Sequence, residues 1–259
     1  QPSAHVPTSD RVVFAHRGLS RFAPENTMPA FELADQVGAT WIETDVDVTS
    51  DGAAILIHDS TLDRTTNRTG SIYDLTVADL KSIDAGSWFG PEFAGTRIPT
   101  LREFVEFMNS SGMNCNLELK AHETGREGAL RMVDTVLDDL AGLDPERELI
   151  ISSFAPHLLQ RVHERAPELA IGMLWEDAAS HADWRTVLEF AGASYVHLGD
   201  AGLTQDLVEQ FTGAGYGVNV WTVNAKDRAN QLFNWGATGV FTDVANEMLQ
   251  FQRQASRGL

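Results

Sequence analysis

Short apolar runs alternate along the chain with longer stretches whose apolar residues recur every three or four positions. That pattern predicts strands alternating with helices. The first run, 12–15, is Val-Val-Phe-Ala and ends at His16-Arg17-Gly18. Thr27 stands at an N-cap position with Pro29 in the first turn, which predicts a helix to about Gly38. A second strand follows over 41–47. From Thr100 the alternation is regular, with a helix over 101–108, a strand over 116–119 and a helix over 126–140. Strands over 149–152, 170–174, 195–198, 218–223 and 240–241 are each followed by a helix, over 156–165, 182–190, 205–214, 226–235 and 246–253. Leaving out the return strand of a hairpin after 41–47, eight strand–helix units remain. Eight such units predict an α/β fold, a closed (β/α)8 TIM barrel. Residues 60–99 break the rhythm, being rich in Gly and Pro with only 77–83 briefly helical, and read as an insertion subdomain after the hairpin. The expected organisation is one catalytic barrel over 11–259 with 60–99 inserted in it, preceded by a loose polar arm at 1–10.

The stretch 41–59, WIETDVDVTSDGAAILIHD, departs from an ordinary strand pattern. Ile42, Thr44, Val46 and Val48 share one face, and Glu43, Asp45 and Asp47 share the other. Asp51-Gly52 predicts a two-residue hairpin turn with both residues at positive φ. Pairing Ser50 with Ala53 would then bring His58 opposite Asp45, on the carboxylate face. Acidic residues on a strand most often form a solvated face. Here the return strand is the continuous run Ile55-Leu56-Ile57, which implies burial on both faces. Buried carboxylates side by side are costly, and a bound cation removes the cost.

Composition narrows the function. A chain of 259 residues, 43% hydrophobic, is long enough for one barrel of roughly 250 residues. The net charge of −18 argues against nucleic-acid partners and anionic membrane surfaces, and obliges an anionic substrate to meet a local cation. Cys115 is the single cysteine, so no intramolecular disulfide forms. No stretch reads as an integral membrane segment or a signal h-region. A cytoplasmic protein is expected, with an exported form open if a signal preceded Gln1.

In a (β/α)8 barrel the chemistry sits at the C-terminal ends of the strands. The polar residues predicted there are His16 and Arg17, Glu43 and Asp45, Glu118 and Lys120, Ser153, Trp221 and Asn224, and Thr242 and Asp243, with His58 folded back through the hairpin. Three carboxylates (Glu43, Asp45, Glu118) make an all-oxygen donor set suited to one Mg²⁺ or Ca²⁺ and less suited to zinc. Two cations and two histidines beside that set describe a site for a phosphorylated substrate with a general acid and a general base. Each residue alone has a plainer reading: a strand-end histidine is often just hydrogen-bonded, and Lys120 could merely neutralise Glu118. Their joint occurrence on one rim carries the inference. His5, His122, His157, His163, His181 and His197 have no evident partners and are expected mostly at the surface. Gly213, Gly215 and Gly217 precede a strand and read as a helix-ending turn, not a dinucleotide loop.

Eight segments stand in order: AHRG at 15–18, PENT at 24–27, IETDV at 42–46, HDSTLDRTTNRTG at 58–70, DAGSWFG at 84–90, IPTL at 98–101, LELK at 117–120 and WTVN at 221–224. Together they resemble the glycerophosphodiester phosphodiesterase family over nearly all of 11–249. The resemblance implies a (β/α)8 barrel with a small insertion after the His-Asp strand. It also implies metal-dependent hydrolysis of diesters such as glycerophosphocholine or glycerophosphoethanolamine to sn-glycerol 3-phosphate and an alcohol. It makes His16 and His58 the acid/base pair and Glu43, Asp45 and Glu118 the metal ligands. Arg17 and Lys120 face the phosphate, and Phe154 and Trp221 line the glycerol or alcohol side. The partner implied is a small-molecule phosphodiester, bound by a monomer or homodimer. Two alternatives remain open: a lysophospholipase D-like phosphodiesterase, with Trp88, Phe89 and Phe93 offering an apolar rim, and a catalytically silent phosphate-binding barrel.

Overall fold

The computed structural model describes residues 11–120 and 123–258. The expected arm at 1–10 with His5, and His122, lie outside the described residues. Strand β1 (Val12–His16) leads to helix α1 (Met28–Gln36), then β2 (Trp41–Val48) and a short return strand, β3 (Ala54–Leu56). After the 60–99 segment come α2 (Leu101–Ser111), β4 (Asn114–Leu119), α3 (Gly125–Leu140), β5 (Leu149–Ser153) and α4 (Pro156–Arg165). The chain continues through β6 (Ala170–Trp175), α5 (Trp184–Ala191), β7 (Tyr195–Gly199), α6 (Gln205–Gly213) and β8 (Gly217–Trp221). It closes with α7 (Lys226–Asn234), β9 (Gly239–Thr242) and α8 (Ala245–Ser256). Strand β1 pairs in parallel with both β2 and β9, so the sheet closes on itself. Among the described residues eight parallel strands form the predicted (β/α)8 barrel, and β3 is added antiparallel to β2.

Alternation along the strands builds two layers of core. Outward residues such as Val13 and Ala15, Ile42 and Val46, Ile151, Val196 and Leu198 pack against the helices. Helix α2 shows the other half of that contact: Leu101, Phe104, Val105 and Met108 recur at helical spacing and are buried. Inward residues at the N-terminal end of the barrel are apolar. Phe14, Ile150, Tyr195 and Phe241 form a plug in which the Phe14 and Phe241 rings stack at 4.4 Å. Two residues further along the same strands the inward positions are polar: His16, Ser152 and His197. The period of two therefore converts one strand pattern into an aromatic floor below and a polar chamber above.

Two local expectations need correcting. Thr27 does occupy the N-cap of α1, but its hydroxyl donates to Pro24 O at 2.6 Å and does not cap the helix. The hairpin turn is one residue longer than predicted. Thr49 N donates to Ala53 O, and the ladder pairs Val46 with Leu56, Asp47 with Ile55 and Val48 with Ala54. Only Gly52 adopts positive φ, at 81°, in a three-residue loop, so a single glycine is enough to close it. The one-residue shift removes the predicted cross-strand pairing of His58 with Asp45. His58 lies beyond the end of β3 and reaches the barrel mouth by another route.

Between β3 and α2 the chain folds over a separate apolar cluster that includes Ile55, Ile57, Leu62, Ile72, Leu80, Ile83 and Ile98. The expected helix at 77–83 is a 3-10 segment, Val77–Ser82, whose first turn is closed by Thr76 and Asp79. Tyr73 ties this segment to the barrel by donating to Asp47 Oδ2 at 2.7 Å.

Candidate active site

The turn after β1 is tightly wound. Arg17 has φ 58° and Gly18 φ 83°, and a Cβ on Gly18 would lie 2.7 Å from the Ala30 backbone. Arg17 N donates to Glu43 O and Asn26 N to Arg17 O, which pins this turn to β2 and to the loop before α1. A non-glycine residue at positive φ costs energy and is kept where surrounding contacts hold it.

Each of the two predicted histidines is oriented by a carboxylate. His16 Nδ1 lies 2.7 Å from Asp243 Oδ1, and His58 Nδ1 lies 2.7 Å from Asp59 Oδ1. Both rings therefore use Nδ1 for orientation, which leaves Nε2 for chemistry; His16 Nε2 is 4.0 Å from Glu43 Oε2. Asp243 is itself fixed, accepting from Asn224 Nδ2 and Ser20 Oγ. Burial works to raise the Asp243 pKa, but its contacts with His16, Asn224 and Ser20 outweigh that and bring it to about 2. Asp59 is held by Arg64, which also grips Glu25, and Glu25 accepts from Arg17 at 2.9 Å. Hydrogen bonds from Arg64, then from His58, keep Asp59 ionised well below the usual carboxylate range. Burial lowers the His58 pKa below its ordinary value.

Glu43, Asp45 and Glu118 come together as predicted, each offering one oxygen within 4.8 Å of the others. All three are buried. Burial and mutual repulsion push Glu43 and Glu118 well above the carboxylate range. Burial pushes Asp45 the same way, but Arg17, a hydrogen bond with Glu118 and Lys120 hold it at about 2. Glu43 Oε1 and Asp45 Oδ1 have no hydrogen-bond partner among the described residues. Buried carboxylate oxygens without donors, on three converging carboxylates, fit a hard divalent cation. Asn26 supports the set from behind: its amide donates to Asp45 Oδ2 at 3.0 Å and its carbonyl accepts from Thr44 Oγ1 at 2.8 Å.

A cavity of about 180 Å³ opens beside this cluster. Its walls include His16, Arg17, Glu43, His58, Glu118, Phe154 and Trp221. The Phe154 and Trp221 rings meet edge to face at 5.8 Å, and Phe154 is 46% exposed, which places it at the mouth. Lys120 is not part of this wall; its Nζ lies 3.3 Å from Glu118 Oε1. Ser153 turns away, donating to Leu119 O. A larger cavity of about 700 Å³ opens at the opposite end of the barrel, beside Val12, Trp41 and Tyr195. It holds neither the histidine pair nor the carboxylate cluster, and chemistry rather than size selects the smaller one.

Several residues of the site have no role assigned from sequence, Asp243 among them although its place at a strand end is predicted. Asp59 adjoins His58, so a signal was at hand. Glu25 and Asn26 belong to the PENT segment, which by itself assigns them no role. Asp243 is 227 residues from His16 in sequence, and no local pattern links them. His197, expected at the surface, is fully buried inside the barrel and lines the same cavity.

The model of the glycerophosphoryl diester phosphodiesterase family matches residues 16–247. A glycerophosphodiester phosphodiesterase of Caldanaerobacter subterraneus subsp. tengcongensis is 35% identical over 243 residues, covering 94% of this chain and 98% of the relative. A glycerophosphodiester phosphodiesterase of Bacillus subtilis is 35% identical over 254 residues, covering 90% and 84%. Among solved structures, an Oleispira antarctica phosphodiesterase in complex with the product sn-glycerol-3-phosphate superimposes with a TM-score of 0.88. It is 34% identical, with 92% of this chain and 95% of that chain covered.

Proposed function

We propose, given that the chain belongs to the glycerophosphoryl diester phosphodiesterase family, that it cleaves small glycerophosphodiesters such as glycerophosphocholine or glycerophosphoethanolamine. The products are sn-glycerol 3-phosphate, the product bound in the Oleispira antarctica relative, and an alcohol. The observation that carries this reading is the pair of histidines. Each is locked at Nδ1 by its own carboxylate, and both line one small cavity with Glu43 and Glu118. Two oriented imidazoles suit a reaction in which one oxygen loses a proton while another gains one.

A single divalent cation, Mg²⁺ or Ca²⁺, held by Glu43, Asp45 and Glu118 would offset negative charge on the phosphoryl oxygens. Arg17, lining the cavity, holds the phosphate, and Lys120 adds positive charge from behind Glu118. In the first step one histidine Nε2 takes the proton of the glycerol hydroxyl next to the esterified carbon as its oxygen attacks phosphorus. The bond from phosphorus to the alcohol oxygen breaks, and the other histidine protonates that oxygen. The products of this step are a cyclic glycerol phosphate and the free alcohol. Water then opens the ring with the histidine roles reversed, giving sn-glycerol 3-phosphate. Tethering the nucleophile supplies a large effective concentration. Residues 60–99 act as an insertion subdomain of the single catalytic domain, contributing Arg64, which holds the Asp59 partner of His58.

A cavity of about 180 Å³ suits a three-carbon phosphate, being smaller than the roughly 300–1,000 Å³ of pockets for larger ligands. Among the described residues no helix is long and apolar enough to cross a membrane. The test is one assay with glycerophosphocholine and lysophosphatidylcholine, each with and without EDTA. Cation-dependent release of choline from the first alone is expected. Preferential turnover of the lysolipid would favour the lysophospholipase D-like reading, and turnover of neither would leave a binding protein.

A further inference from the structure

Below the carboxylates, the inner wall of the barrel carries a second polar layer for which the acid/base pair and the cation have no use. Asn116 Nδ2 donates to Ser152 Oγ at 2.9 Å across β4 and β5. Ser152 is paired with Gly172 on β6. The absent side chain at Gly172 makes room for the His197 ring, since a Cβ there would sit 2.5 Å from His197 Nε2. Next to it on β8, the Asn219 amide lies 3.1 Å from that same nitrogen. Thr238 Oγ1 lies 3.0 Å from Val218 O and 2.7 Å from Asn219 Oδ1; with its single proton in the shorter contact, the carbonyl end of Asn219 is taken and its NH₂ faces His197. Nε2 must then accept, and the neutral imidazole carries its proton on Nδ1. With the amide in that orientation, the contacts from Thr238 to His197 set the tautomer as well as the ring.

Two polar atoms of this layer remain without partners among the described residues: His197 Nδ1 and Asn116 Oδ1. Both residues are at most 1% exposed, and both line the candidate active-site cavity. Buried polar atoms in a folded protein are nearly always satisfied, so an unmatched donor and an unmatched acceptor on two residues that line one cavity point to a ligand group that complements them. A hydroxyl does so, since it can accept from Nδ1–H and donate to a carbonyl oxygen. In the function proposed above the phosphate sits higher, beside Arg17 and the carboxylates. The alcohol half of the diester, which varies in size, needs the open mouth at Phe154. The glycerol half therefore points down towards the floor.

We infer that His197 and Asn116 form the subsite that recognises the terminal hydroxyl of the glycerol half, the one farther from phosphorus, and so select a glycerol diester over a diester lacking that group. Asn219 and Ser152 are positioning residues for the two. This inference rests on the function proposed above and names which end of the substrate the floor reads.

The experiment compares kcat/KM for glycerophosphocholine with that for its terminal-deoxy analogue, the propane-1,2-diol diester, which keeps the hydroxyl next to the esterified carbon. Leaving a buried donor and acceptor unmatched is expected to cost the wild type about 10²-fold on the analogue. His197→Phe should abolish most of that preference by slowing the glycerol substrate far more than the analogue. His197→Asn, whose amide occupies the place of Nδ1, should keep more of the preference than His197→Gln, whose amide reaches the place of Nε2. Asn116→Leu tests the acceptor independently, with thermal melting to check that each variant is folded. No discrimination by the wild type, or equal losses on both substrates in every folded variant, would overturn the subsite and leave the phosphodiesterase reading intact. Hydrolysis of neither substrate by the wild type would overturn both.

Discussion

Asp243→Asn isolates the most distant contact in the site. The substitution keeps the shape of the side chain but replaces an anion by a neutral amide opposite His16 Nδ1. The carboxylate pKa lies near 2 against an ordinary 3.8, even though burial acts to raise it. That depression corresponds to roughly 2 kcal/mol favouring the ionised form at neutral pH. The benefit is shared among His16, Asn224 and Ser20, and the side chain is 28% exposed, so about half of that energy is left for His16 once solvent screening is allowed for. An asparagine can also turn its NH₂ to His16, which would force the proton onto Nε2 and leave that nitrogen unable to accept one. Loss of charge and of tautomer control together should lower kcat by about 10²-fold, while KM changes by less than about threefold. The measurement is steady-state hydrolysis of glycerophosphocholine at saturating divalent cation, with Asp59→Asn run alongside for His58. A kcat within about threefold of wild type would show that the carboxylate is merely structural and that the His16 orientation argument fails. The same variant carries a stability signature. A depressed folded pKa means that the unfolded chain binds the proton first as pH falls below 4, so the wild type loses this contribution between about pH 4 and 2, and Asp243→Asn should not.

Four further outcomes are expected. Adding Mg²⁺ or Ca²⁺ at about 100 times its Kd should stabilise the wild type by roughly 3 kcal/mol. Glu118→Gln should melt at or above the wild type in EDTA and gain less from the cation, and equal gains would place the ion elsewhere. His16→Ala and His58→Ala should each lower kcat by about 10²-fold or more, with the double variant little worse than either; additive losses in kcat would mean that the two act independently. A substrate whose hydroxyl next to the esterified carbon is replaced by hydrogen should be cleaved at least about 10²-fold more slowly if the tethered nucleophile is used, and equal rates would mean direct attack by water. Burial pushes the His197 pKa down to about 3, so between pH 6.5 and 3 the unfolded chain takes up a proton that the folded one refuses. Stability should therefore fall by about 2 kcal/mol from pH 6.5 to 5 through this residue. Denaturation at both pH values should show that slope in the wild type and its loss in His197→Phe, and an unchanged slope would put the proton uptake on another group.

Periodicity alone determined the barrel. Runs such as 149–152 followed by 156–165 carry their own helix and strand signals, and eight of them in parallel have one common closed solution. It also determined which side each strand residue faces, so Glu43 and Asp45 could be placed inward before any coordinates. The first-layer chemistry was readable for the same reason: His16, Arg17, Glu118 and Lys120 stand immediately at strand ends, where position in the chain fixes position in the fold. Tertiary structure decided what a short window cannot hold. The hairpin's register turned on whether Thr49 or Ser50 closes the loop, a choice of one residue that the turn sequence by itself leaves open. The partners of the histidines divide in the same way. Asp59 is a neighbour of His58 in sequence, but Asp243 reaches His16 only because β9 returns to pair with β1 and close the ring. His197 looked like a surface histidine because its sequence neighbours are ordinary strand residues. Its burial comes from the empty position at Gly172 one strand away and from Asn219 on the other side, and that environment exists only once β6, β7 and β8 stand side by side.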